Sequence, residues 1–373
     1  MDAIGAGQTP KSGNRDWSEI FAESPELVNI KEHICQLKTE RRLADIATTA
    51  NDKEFATPLL HQLKVVQKRT NLAFWRSPNY GFTRFFNHVM IAMISGLAFL
   101  HLDDSRTSLQ YRVFVIFQAT ILPALVLSQV QPKYAYSRMI YYREASSKMY
   151  GQFAFASSLI VAEIPYSILC VVGFFFPLYY MAGFQKDRAG YQFLMILITE
   201  IFAVTLGQMM AAITPSPFIA SLLNPFINIT FSLFCGVTIP KPQIPRFWRS
   251  WLYPLDPFTR LVSGMVVTEL QGRPVVCSQG ELNTFNAPSG QTCGEYMAPF
   301  FKRGGAGYIV NNATSVCEYC AYKSGEQFYT GLGLDFNDRW RDLGIYAAFI
   351  GINLVLLFIG VSTPRFYLPF SFR

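Results

Sequence analysis

The stretch that decides the fold is Tyr141–Pro165, with the sequence YYREASSKMYGQFAFASSLIVAEIP. It begins as a polar, tyrosine-rich segment that carries Arg143, Glu144 and Lys148. It then becomes apolar, and the one charged residue in its apolar half is Glu163, close to the final proline. An aqueous segment that continues directly into so apolar a run is typical of a helix entering a membrane.

The composition of the whole chain supports a membrane protein. Of its 373 residues, 51% are hydrophobic and 15% are charged, whereas soluble domains carry about 25% charged residues. The formal net charge is +7, and in a membrane protein such an excess reflects topology. The composition therefore predicts an all-α polytopic membrane protein. No nucleic-acid-binding module is visible, so nucleic acid is not an expected partner.

Six apolar runs are long enough to cross a bilayer at about 20 residues per crossing. The third run is too long for a straight crossing, so it is expected to tilt, or to break near Pro165 or Gly173. The predicted spans are residues 85–102, 111–130, 152–180, 190–213, 217–239 and 343–363.

The segment before the first span divides into two parts. Residues 1–56 are polar, and Ser24-Pro25 predicts the start of a helix whose apolar side packs on a surface. Residues 57–84 place apolar residues opposite lysines and arginines, which predicts an amphipathic helix in the membrane interface. The alternative for 57–84 is an ordinary soluble helix.

The short loops indicate the orientation. The loop 131–150 carries four basic residues against one acid, and the loops on the other side carry fewer net positive charges. The positive-inside rule therefore places both termini in the cytosol. The segment 240–342 is then extracellular, and residues 343–373 form the last span and a cytosolic tail.

The extracellular segment contains four cysteines, which predict two disulfides in an oxidising compartment. Three pairings are possible. A zinc site at Cys317-x-x-Cys320 is disfavoured because this segment has no histidine. Asn312 begins a glycosylation sequon, and a second sequon at Asn228 lies inside span five and is expected to be unused. The four disulfide candidates are Cys277, Cys293, Cys317 and Cys320.

No motif on this chain predicts catalysis, a metal site or a cofactor. The segment from Gly5 to Ser12 resembles a phosphate-binding loop, but Pro10 replaces its second glycine and offers no N–H to a phosphate.

Two carboxylates, Glu163 and Glu200, lie within predicted spans. Each is either a substrate or gating contact, or a structural partner of a neighbouring helix. Aromatic and amide residues also share helix faces in spans two and five, which predicts a cavity for hydrophobic ligands. For each of these aromatic and amide residues, the alternative is a role in packing between helices. The cavity candidates are Phe114, Phe117, Gln118, Asn224, Asn228 and Phe231.

Several motifs in order resemble the second membrane domain of fungal pleiotropic drug resistance transporters, which are full-length G-type ABC transporters. They cover nearly the whole sequence. The matching segments are AIGAG at residues 3–7, REASSKMY at 143–150, AEIP at 162–165, FCGV at 234–237, PRFW at 245–248 and PFTRLV at 257–262.

The resemblance implies the six-helix ABC-2/G-type exporter fold at the plasma membrane. It also implies that residues 1–56 follow a nucleotide-binding domain, so that ATP and magnesium bind to partner domains absent from this sequence. A second transmembrane domain is a further expected partner. Within 131–150, the coupling region Tyr134–Lys148 would receive the ATP-driven motion, with Arg143, Glu144 and Lys148 making its polar contacts.

The first functional hypothesis is the membrane domain of an exporter of hydrophobic drugs or lipids. A second is a truncated, non-transporting remnant or membrane interaction protein, which would purify as a homodimer without ATPase activity. A proton-coupled carrier is disfavoured because the sequence shows no internal repeats.

Overall fold

A computed structural model describes residues 17–43, 54–313 and 316–363. The chain divides into two units, residues 1–56 and 57–373. The described part of the first unit contains helices α1 (Trp17–Ala22) and α2 (Pro25–Leu43). Ser24 caps α2 by accepting from the Leu27 amide at 3.3 Å, as predicted. The predicted packing of the α2 apolar side is not found, because Ile30 is exposed, as are other apolar side chains of this helix, within the described residues.

Helix α3 (Leu59–Trp75) occupies most of the predicted amphipathic segment. The predicted boundary at residue 84 is wrong, since α3 stops at Trp75 and a new helix, α4, begins at Pro78. Proline lacks an N–H and disfavours helical geometry at the residue before it, so the chain turns here. Trp75 and other large apolar side chains of α3 are exposed, as suits an interfacial helix.

The membrane bundle contains the remaining long helices. They are α4 (Pro78–Ala98), α5 (Arg106–Gln118), α6 (Leu122–Ser146), α7 (Gln152–Ala182), α8 (Ala189–Ile213), α9 (Pro217–Phe234) and α14 (Arg339–Ser362).

A short 3-10 turn at Ala119–Ile121 joins α5 to α6. Among the described residues, five helical segments are long and apolar enough to span a membrane. Helix α4, at the first predicted span, is 21 residues long but is not among them. Its interior carries Arg84 and His88, which lower its hydropathy.

The predicted loop 131–150 is mostly helical, because α6 continues to Ser146. Only residues 147–151 connect it to α7. Tyr134, Arg138 and Tyr141 are buried at helical spacing, so one side of this basic segment packs as a helix. Arg138 stabilises this packing, because its guanidinium donates to backbone carbonyls at the end of α8. The distance to the Ala211 oxygen is 2.6 Å.

Helix α7 does not break at either predicted position. At Gly173, an added Cβ would lie 2.6 Å from the Phe85 ring and 2.9 Å from a Val89 methyl. Gly173 therefore allows α4 and α7 to approach closely, as small residues do between membrane helices.

Helix α8 lies at the centre of the bundle and packs against both α6 and α14. Helix α9 is different, because only Ala220 and Asn224 are buried along it. Much of the apolar surface of α9 is therefore not covered by the described part of this chain.

The predicted outer segment 240–342 is partly a buried structure. Its elements are α10 (Arg246–Leu255), α11 (Pro257–Leu270), β1 (Asn283–Asn286), α12 (Cys293–Lys302), β2 (Tyr308–Asn311), β3 (Val316–Cys320) and α13 (Gly325–Gly331).

Helix α11 is almost entirely buried and packs on α5, α8 and α14, so the segment predicted as the extracellular loop 240–342 contains a helix of the bundle. The extracellular position of the segment stays a prediction. At 14 residues, α11 is too short for a span-length search to find. The strands form a small antiparallel sheet in the order β1-β3-β2, and the last helix begins at Arg339, before the predicted residue 343.

Candidate functional site

The two predicted intramembrane acids meet at one arginine. Arg84 on α4 contacts Glu163 of α7 at 2.6 Å and Glu200 of α8 at 2.6 Å. All three side chains are buried. The sequence analysis found both acids but not their shared partner. The usable signal was the spacing of Tyr80, Arg84 and His88, which lie on one face of α4.

Tyr80 and His88 complete this ionic cluster. The Tyr80 hydroxyl donates to Glu163 at 2.5 Å. The His88 Nδ1 lies 2.7 Å from the carbonyl oxygen of Arg84, to which it donates, and Nε2 lies 3.2 Å from Glu200.

Cys170 lies beside His88 and Glu200, so that three potential metal ligands come close together. The guanidinium of Arg84 already contacts the Glu200 carboxylate, and its positive charge opposes a cation at this position. The two ion pairs of Arg84 link α4 to α7 and to α8.

The predicted coupling residue Glu144 lies at a junction of three elements. Its carboxylate contacts Arg69 of α3 at 2.8 Å and accepts from the Tyr150 hydroxyl at 2.6 Å. Arg69 also donates to Tyr150 at 2.9 Å. Burial and the Glu144 hydrogen bond raise the pKa of Tyr150. We call Arg69, Glu144 and Tyr150 the junction triad.

The other two predicted coupling residues, Arg143 and Lys148, are exposed. Lys148 has φ of +52° and reverses the chain after α6, an uncommon conformation for a residue with a side chain. Glu144 therefore contacts α3 of its own chain, while Arg143 and Lys148 face outward.

Helix α3 is also tied to the start of α7 by polar contacts. The Gly151 amide donates to Gln62 at 2.9 Å, and the Thr70 hydroxyl lies 3.3 Å from that of Ser158. The end of α6 is thus linked to α3, and α3 is linked to the start of α7.

The six predicted cavity residues do not form one site. Asn224 exchanges two hydrogen bonds with Gln131 of α6, at 2.9 and 2.8 Å, so it holds α9 to α6. Phe231 packs edge-on against Phe258 with ring centroids 5.5 Å apart. For these two residues the structure shows helix packing.

Phe117 and Asn228 do come together. They line a groove of about 380 Å³ between the α5–α6 region and α9. Asn228 also donates to the Asn224 carbonyl of its own helix at 2.9 Å. Gln118 is half-buried and is not among the residues that line this groove. We call this space the α5–α9 groove.

Phe114 lines a second cavity, of about 520 Å³, beside the outer segment. Its other walls include Arg106, Gly236 and Glu281. Gly236, two residues after the end of α9, has φ of +95°, a conformation that glycine adopts without steric cost. The segment 236–240 borders both this outer cavity and the α5–α9 groove.

The four predicted cysteines form two disulfides, Cys277–Cys320 and Cys293–Cys317. This result selects one of the three open pairings and excludes zinc at Cys317 and Cys320. Asn312 is exposed, and its side-chain oxygen accepts from the Gly294 amide at 2.8 Å. Its sequon ends at residue 314, which lies outside the described residues.

A second buried charge cluster, missed by the sequence analysis, joins α5 to α11 and to the residues just after α11. Glu269 of α11 accepts from Arg112 of α5 at 3.1 Å and from Arg273 at 2.9 Å. Glu281 of the outer segment accepts from the Thr107 amide at the start of α5 at 2.7 Å. Although partial burial acts in the opposite direction, hydrogen bonds from Thr107 and nearby amides lower the pKa of Glu281.

Long apolar helices, buried ion pairs between them and a disulfide-bonded outer segment define a multi-pass helical membrane domain. Residues 61–270 match the family model for the membrane domain of ABC-2 type transporters. The chain belongs to this family.

Curated relatives agree along nearly the whole chain. This chain is 61% identical over 373 residues to ABC multidrug transporter I of Aspergillus fumigatus, and the match covers 98% of this chain and 25% of the relative. This chain is 38% identical over 344 residues to ABC-type transporter cns4 of Cordyceps militaris, and the match covers 91% of this chain and 25% of the relative. It is 34% identical over 374 residues to ABC transporter G family member 14 of Dictyostelium discoideum, covering 98% and 26%. The chain therefore spans about a quarter of the length of these relatives.

Proposed function

We propose that the chain is the membrane domain of an ATP-driven exporter of hydrophobic drugs or lipids. The observation that carries this proposal is the α5–α9 groove, where Phe117 and Asn228 offer an aromatic wall and an amide. Hydrophobic ligands bind in sites of this composition. All three relatives described above are named transporters, and the first is named a multidrug transporter.

The proposed path leads from the groove past residues 236–240 into the outer cavity. A second transmembrane domain would cover the exposed side of α9 and close the path. Nucleotide-binding domains would bind ATP and magnesium and would move the end of α6 through the coupling region that contains Arg143, Glu144 and Lys148. The junction triad would transmit this motion to α3.

We test the path by changing its walls. The exchange Phe117→Ala removes one aromatic contact, worth about 0.5–1.5 kcal/mol, so resistance to transported drugs should change by about two- to tenfold. The measurement is drug susceptibility of cells that make this domain joined to its nucleotide-binding domains. Phe82→Ala is the matched control, because Phe82 is exposed on α4 and is not among the groove residues. Equal susceptibility of both variants and the wild type would refute the path.

We further propose that the protein lies in the plasma membrane with both termini in the cytosol and residues 271–335 outside. The two disulfides support the external position of that segment, since such bonds persist in oxidising compartments.

Glycosylation at Asn312 tests this orientation. In the proposed topology the exposed Asn312 side chain receives a glycan, and endoglycosidase treatment should increase the gel mobility of the wild type. Asn312→Gln should already migrate at the faster position. The control is Asn311→Gln, a change of the same kind at the exposed neighbouring residue. A wild type unaffected by the endoglycosidase would contradict the glycan.

A further inference from the structure

A separate cavity of about 280 Å³ lies among α3, α6 and α7, near the junction triad. Its walls are largely apolar and include Phe74, Ile140, Phe155 and Leu159. This cavity has no part in the transport path described above, because it shares no lining residue with the groove or the outer cavity.

Lys133 brings a positive charge to this cavity. Its Nζ lies 3.1 Å from the Ser77 hydroxyl and 4.8 Å from the centre of the Phe74 ring. No carboxylate of the described residues lies within 4.0 Å of it. The acid that lines the same cavity, Glu144, is already paired with Arg69. Glu163, which acts on Lys133 electrostatically, is itself bound to Arg84, so an anionic ligand can still balance the charge of Lys133.

The ligand must combine an anionic group with an apolar chain, because a half-buried cation and apolar walls border the same space. Inorganic phosphate would satisfy Lys133 but leave the walls of Phe155 and Leu159 uncovered. Basic pockets between membrane helices on the cytosolic side bind acidic lipid headgroups. Lys64 and Lys68 of α3 are exposed and do not line this cavity.

We infer that this cavity binds an acidic glycerophospholipid, with its phosphate at Lys133 and the upper part of one acyl chain along Phe155 and Leu159. The bound lipid would fill the space between α3 and the end of α6, next to the junction triad. The assignment of the lipid to the cytosolic leaflet rests on the proposed orientation. Binding itself does not, since a detergent-solubilised chain offers both ends to added lipid.

The test is lipid retention by the purified full chain in detergent, measured by native mass spectrometry. Phosphatidylserine should be retained in preference to phosphatidylcholine with the same acyl chains. Lys133→Gln should weaken phosphatidylserine binding about fivefold, as expected for one lysine at a lipid surface. Lys133→Arg should keep it, because the positive charge is preserved.

Two further variants separate this site from general charge effects. Lys64→Gln removes the same charge from the exposed side of α3 and should leave retention unchanged. Ala73→Phe fills the cavity from its exposed rim while keeping Lys133, and should abolish retention. Equal retention of both lipids, equal losses in Lys64→Gln and Lys133→Gln, or displacement by millimolar inorganic phosphate would each overturn the inference. Failure of ATP-driven export would leave these results unaffected.

Discussion

Replacement of Arg84 by leucine should prevent accumulation of the folded chain. The change leaves Glu163 and Glu200 buried without their common cation, at a site where all three side chains are at most 3% exposed. Breaking a buried ion pair by removing one partner costs about 3–5 kcal/mol, and here two carboxylates lose the same partner. The measurement is the yield of monodisperse protein and its melting temperature in detergent.

Two matched variants identify the cause of this loss. Arg76→Leu removes an arginine from an exposed position just before α4 and should leave the melting temperature nearly unchanged. Arg84→Lys should recover only part of the stability, because an ammonium cannot reproduce the fork that reaches both carboxylates. A monodisperse Arg84→Leu protein with the wild-type melting temperature would contradict the structural role of the cluster.

Charge reversal at Glu144 should separate ATP hydrolysis from export. In a polypeptide that also carries the nucleotide-binding domains, Glu144→Arg places two guanidinium groups where Arg69 and Glu144 now lie 2.8 Å apart. Repulsion would open the junction triad and disconnect the end of α6 from α3. We expect drug export to fall about tenfold or more while ATP hydrolysis continues, with both rates measured on the same reconstituted protein; an uncoupling of about 1.4 kcal/mol suffices for this factor.

The double exchange Arg69→Glu with Glu144→Arg provides the rescue, because it restores one pair of opposite charges in the reverse order. Lys68→Glu is the control, since it reverses an exposed charge beside Arg69 without touching the triad. If Glu144→Arg leaves export unchanged, or if the double exchange is no better than the single one, the coupling role of this contact is wrong.

The positions of the apolar helices were predictable from the sequence because hydropathy is a sum over neighbouring residues. The same local information indicated Ser24 as a helix cap and four cysteines as two disulfides. The prediction of helices failed where a helix was too polar or too short to be recognised from hydropathy. The basic segment 131–150 is mostly helix because its buried face includes Tyr134, Arg138 and Tyr141, and α11 was missed because a short helix can be buried without spanning a membrane.

The candidate sites depended more strongly on tertiary structure. Sequence alone marked Glu163 and Glu200 as costly intramembrane acids, but Arg84 pairs with them across 79 and 116 positions of the chain. It likewise marked Asn224 and Asn228 as one polar face, whereas packing assigns the first to Gln131 and leaves the second in a groove.

The sequence by itself thus determined which segments prefer the membrane and which side chains are costly to bury there. The tertiary structure decided which partners offset that cost, which cysteines pair and which half-buried cation, Lys133, has no carboxylate within 4.0 Å among the described residues. The physical reason is that hydropathy and helix propensity act between neighbours along the chain. Ion pairs and cavities instead depend on distances between helices, which only the packed bundle defines.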